Sequence, residues 1–73
     1  MTKAEIIQDI AKDGYGQLYK DYSGRGMFGS TCYGIVADDP DTIIEQAVLR
    51  GLPRPQRDNL GKQYIMYWPE VKA

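Results

Sequence analysis

Gln17-Leu18-Tyr19-Lys20-Asp21-Tyr22, then Ser23-Gly24-Arg25-Gly26-Met27-Phe28-Gly29-Ser30, then Thr31-Cys32-Tyr33-Gly34-Ile35-Val36-Ala37: this stretch decides the fold of the 73-residue chain. Gln17–Tyr22 alternates, with Leu18, Lys20 and Tyr22 on one side and Tyr19 and Asp21 on the other, which reads as a strand. Residues 31–37 are rich in β-formers at Thr31, Tyr33, Ile35 and Val36 and read as a second strand. The segment between them is a long hairpin loop. Gly29 and Gly34 interrupt regular pairing and mark a place for a bulge.

Helix signals flank this hairpin. Thr2-Lys3-Ala4-Glu5 is a capping box, in which the Thr2 hydroxyl accepts from the Glu5 N–H and Glu5 reaches back. Ile6, Ile7, Ile10 and Ala11 follow at helical spacing, and Asp13-Gly14 ends the helix. Asp38-Asp39-Pro40-Asp41 opens a second helix: proline fits its first turn and the acids favour the positive end of its dipole. Ile43, Ile44, Ala47 and Val48 form its buried stripe. Arg50 sits near its negative end, Gly51 caps it and Leu52-Pro53 stops it. Pro53 to Gly61 reads as a polar loop. Lys62 to Trp68 reads as the last strand, with Tyr64, Met66 and Trp68 on one face and Ile65 and Tyr67 on the other.

The expected order is α-β-β-α-β over a single domain, residues 1–73, of the α+β class. The second helix returns the chain, so the third strand runs parallel to the second. A split crossover places the first strand between them. The expected sheet is therefore three-stranded and antiparallel in order second-first-third, with both helices on one face. The opposite face stays open and Tyr19 lies on the central strand. No internal repeat, linker or low-complexity segment is visible.

Composition narrows the chemistry. Cys32 is the only cysteine and there is no histidine, so a disulfide within the chain and a cysteine–histidine metal site are excluded. Serine–histidine and cysteine–histidine nucleophiles are impossible without a partner chain, for the same reason. Asp38, Asp39 and Asp41 cluster as a helix entrance rather than as paired catalytic acids, and the expectation is a non-enzyme without cofactor or metal. A net charge of −1 argues against general nucleic-acid binding. The lone cysteine and the lack of a leader or a membrane-length apolar run point to a cytoplasmic protein. A chain this small forms a marginal core, and aromatics line both faces of its last strand, so self-association is expected.

Tyr22 to Gly34 holds four glycines, one arginine and three aromatics in thirteen residues. Gly24-x-Gly26-x-x-Gly29 matches the glycine pattern of nucleotide loops. A dinucleotide fold needs a helix after that loop, and here a strand follows. What remains is local: Gly24 and Gly26 N–H groups can form an anion nest, and Arg25 offers a planar fork for phosphate. Tyr19 or Tyr22 would stack on a base, and Arg54 and Arg57 would close over a phosphate. The glycines equally serve a tight turn, and most of the tyrosines equally serve the core. In a second reading, Met27 and Phe28 form an exposed tip that inserts into a partner protein's groove. Cys32 reads as a small buried apolar residue.

The segment Asp21-Tyr22-Ser23-Gly24-Arg25-Gly26-Met27-Phe28-Gly29, with Cys32 and Gly34-Ile35, resembles a motif of short bacteriophage accessory proteins. The resemblance covers about a quarter of the chain. It implies action inside a bacterial host. Some proteins of this kind counter host defence by sequestering nucleotide messengers in oligomeric pockets; others block a host protein by contact. The resemblance carries over no binding residue. The expected function is capture of a small phosphorylated or cyclic-nucleotide ligand without catalysis. The alternative is a protein–protein inhibitor or assembly module acting through the hairpin tip.

Overall fold

The computed structural model describes residues 1–73. Thr2 caps helix α1 (Lys3–Lys12) with the capping box in place: Thr2 Oγ1 accepts from the Glu5 N–H at 3.2 Å and Glu5 Oε1 accepts from the Thr2 N–H at 2.9 Å. Strands β1 (Gln17–Tyr22) and β2 (Cys32–Ala37) follow. Asp39 then caps helix α2 (Pro40–Leu49), accepting from the Asp41 N–H and the Thr42 hydroxyl, and Pro40 opens the helix. The Thr42 bond holds the Asp39 carboxyl below its ordinary range. Arg50 caps α2 and also spans to the end of α1, where its guanidinium donates to Asp13 at 2.8 Å.

The sheet differs from the expected one in two ways. It has four strands, because Gln56–Leu60 forms β3 within the segment read as a polar loop, and β4 extends over Gln63–Lys72. The strand order is β1-β2-β4-β3 with every pairing antiparallel, so β2 and β4 are central and β1, with Tyr19, is an edge. The added hairpin explains both differences. β2, α2 and β3 form the split crossover, and β4 turns back after Gly61-Lys62 to fill the gap between β2 and β3.

Both helices cover one face of this sheet. Ile7 and Ile10 of α1 and Ile43 and Ala47 of α2 pack with Ile35, Ala37, Met66 and Trp68 in the main core, and Ile44 packs against it. Val48, expected in the buried stripe, is exposed, because it lies about 140° round the helix from Ile43. The Trp68 indole N–H donates to the Pro53 carbonyl at 2.8 Å, so its one polar atom is satisfied. The second face is not open, as the three-stranded reading expected. The loop between β1 and β2 folds back over it, and Met27, Cys32, Ile65 and Tyr67 form a second buried cluster there. The chain thus covers both aromatic faces of β4 by itself. No helix is long and apolar enough to cross a membrane.

Candidate functional site

β1 carries one extra residue between Tyr19 and Tyr22, because Tyr19 pairs with Gly34 and Tyr22 with Cys32. Asp21 takes φ 61° at this bulge. Plain alternation sets Tyr22 on the face of Leu18 and Lys20, but the extra residue moves it to the face that Tyr19 occupies, and the two rings meet edge to face at 5.9 Å. Tyr22 also packs on Tyr67 of β4 at 4.9 Å between ring centres. The Tyr22 hydroxyl donates to the Asp58 carboxylate of β3, and the Tyr67 hydroxyl donates to Gln56 of the same strand at 3.2 Å. Burial pushes both phenols above their ordinary range, and the Asp58 carboxylate adds to the rise.

The loop lies on this tyrosine floor. Two consecutive tight turns shape it, from the Met27 N–H to the Gly24 carbonyl and from the Ser30 N–H to the Met27 carbonyl. Gly24 rests on the Tyr67 ring so closely that a Cβ there would stand 2.6 Å from ring carbons. The Gly24 N–H donates to Met27 Sδ at 3.1 Å, and the Cys32 thiol approaches the same sulfur at 3.9 Å. Burial pushes the Cys32 thiol up in pKa. Met27 is 8 % exposed, so it anchors the loop and is not part of an exposed tip. The apolar floor of Ile65 and Tyr67 draws its thioether inward.

Phe28 points the other way and is 98 % exposed. Its φ of 50° is left-handed, an uncommon state for a bulky residue, and Gly29 follows at 89°. Arg25 and Gly26 are exposed on the same loop, and Arg25 has no carboxylate partner. The other arginines do not join it. Arg57 pairs in register with Met66 on the helix-covered face and stands 5.5 Å over the Tyr64 ring. Arg54 is exposed between Pro53 and Pro55 ahead of β3. The structure therefore gathers Tyr19, Tyr22, Gly24, Arg25 and Gly26 around one loop and leaves Arg57 on the other face. Sequence reasoning missed Asp58 and Gln56 as acceptors beneath the loop. Their signal was their alternation with Arg57 and Asn59, hidden because neither side of that alternation is apolar.

A cleft of about 500 Å³ opens at the other end of the β1–β2 hairpin. Tyr15, Val36 and Ala37 supply its apolar lining, and Gln17, Asp38, Asp39 and Thr42 are among its polar walls. No family model, no curated protein and no solved structure matches the chain.

Proposed function

We propose that this chain is a non-catalytic interaction module that docks on a partner protein through the Phe28 tip. The observation behind this reading is the near-complete exposure of Phe28 on a loop whose neighbouring residue, Met27, is locked into the second core. A large aromatic side chain in water forgoes about 1.5–3 kcal/mol of burial. A rigid mount lets it insert without a large ordering cost. Arg25 beside it is free to pair with a partner carboxylate, and aromatic and arginine side chains are frequent interface anchors. The left-handed backbone at Phe28 is a local strain of the kind found at ligand clamps and switch regions.

Capture of a small phosphorylated ligand has less support. The Gly24 N–H is directed to Met27 Sδ, and Arg57 lies on the opposite face from Tyr22. With the resemblance of Asp21–Gly29 to phage accessory proteins, the partner pool is the cytoplasmic proteins of a bacterial host. Affinity capture from such a lysate tests the reading. A stoichiometric protein retained by the unaltered chain and lost with Phe28→Ala is the expected result. Calorimetric heat with a cyclic or linear nucleotide, abolished by Arg25→Ala, would overturn it.

A further inference from the structure

We infer that a second copy of this chain is a partner of the Phe28 tip, which seats in the cleft at the far end of that copy's β1–β2 hairpin. This rests on the docking role given to the tip above. The two surfaces set a protruding side chain against a recess and a cation against an acid. The tip is one protruding aromatic beside one unpaired cation, Arg25, in a loop, residues 23–31, that holds no acid. The cleft has room for such a side chain, with Tyr15 and Val36 to receive a ring. Asp38 stands on its wall, exposed and without an ion-pair partner. The nearby cation Arg50 lies over the Tyr15 ring at 5.9 Å but is already paired with Asp13.

The geometry prevents a chain from filling its own cleft. The loop joins the end of β1 to the start of β2, whereas the cleft is built from residues before β1 and from the end of β2. Six-residue strands separate them by about 20 Å. The contact is therefore head to tail, with different patches on the two copies, and it extends into a ring or an open filament according to the rotation per step.

Two variants each disable one surface without touching the core: Phe28→Ala for the tip and Asp38→Lys for the cleft. Both sites are exposed and neither side chain makes a hydrogen bond. Sedimentation velocity across a wide concentration range is the measurement, with circular dichroism confirming that each variant is folded. The unaltered chain is expected to grow in mass with concentration through species larger than a dimer. Each single variant is expected to associate at least tenfold more weakly. An equimolar mixture of the two variants is expected to form a one-to-one dimer and stop there, because only one working tip and one working cleft can meet. Arg25→Glu combined with Asp38→Lys is expected to regain association. A chain that stays monomeric at high micromolar concentration, or folded variants that fail to complement, would overturn the inference. If Phe28-dependent capture of another protein persists in that case, the docking role stands and only its self-partner fails. If Phe28→Ala alters neither measurement, both fail.

Discussion

Tyr22 and Asp58 stand on the two edge strands of the sheet and are hydrogen-bonded to each other across its second face. In a flat four-stranded sheet the edges lie about 14 Å apart, beyond the joint reach of the two side chains. The sheet therefore coils towards this face, and the bulge at Asp21 sharpens the turn of β1.

This bond is expected to carry measurable coupling. Tyr22→Phe leaves a half-buried carboxylate without its donor and should cost about 1.5–3 kcal/mol in urea unfolding. In a double-mutant cycle with Asp58→Ala, the coupling should exceed about 0.5 kcal/mol. Simple additivity would mean that the edges are held together by packing alone.

Stability should fall at alkaline pH. Burial raises the Tyr22 and Tyr67 phenols above the ordinary tyrosine value of about 10, so the folded chain holds protons that the unfolded chain releases. Their contribution is complete below about pH 10 and is lost progressively above it. Denaturation midpoints measured from pH 8 to pH 12 should decline beyond about pH 10, and Tyr22→Phe should flatten part of that decline.

Two loop glycines should fail for different reasons. Gly24→Ala drives a methyl group into the Tyr67 ring and should cost about 1–3 kcal/mol by overpacking. Gly29→Ala meets no atom within 4 Å, but its φ of 89° is left-handed. It should cost about 1–2 kcal/mol through backbone strain alone. Tyr67→Ala should relieve the first and not the second, as read by unfolding of the paired variants.

Neighbouring residues Met27 and Phe28 should separate stability from binding. Met27→Ala empties an anchor in the second core and should cost about 2–5 kcal/mol. Phe28→Ala should change stability by no more than about 0.5 kcal/mol. Truncating it should weaken partner binding by about 2–4 kcal/mol. Thermal unfolding with a capture assay on the same samples distinguishes the two.

Local chemistry made much of this fold legible. The capping box at Thr2-Glu5, the Asp39-Pro40 entrance and the apolar stripes announced both helices, and β1 and β2 form where the alternation of Gln17–Tyr22 and the β-formers of residues 31–37 place them; the bulge that carries Tyr22 to the face of Tyr19 breaks that alternation and left no mark in the spacing. Gln56-Arg57-Asp58-Asn59-Leu60 was illegible because an edge strand needs no apolar face of its own. Missing that strand carried the strand order with it, since β4 fills the gap that β1 was expected to occupy. The split-crossover rule itself applies, with β3 in place of the last strand. At the site, Gly24 to Gly29 marked the loop, but its fold-back rests on Met27 meeting Ile65 and Tyr67. That contact is between segments nearly forty residues apart, and spacing cannot show it.

The strand order also means that the chain is an α-β-β unit built twice. α1-β1-β2 and α2-β3-β4 are joined through antiparallel β2 and β4, with a pseudo-two-fold axis between those strands. Equivalent turns in the two halves lie at opposite ends of the sheet, and they differ in length. The first half spends the nine residues Ser23–Thr31 there; the second spends only Gly61 and Lys62. The long turn supplies the tip. The short one leaves its own end of the sheet uncovered, beside the cleft lined by Gln63. The polarity of the molecule therefore comes from unequal turns on a nearly symmetric frame. Grafting a long turn at Gly61-Lys62 would fill the cleft end and turn a two-ended molecule into one with a tip at each end.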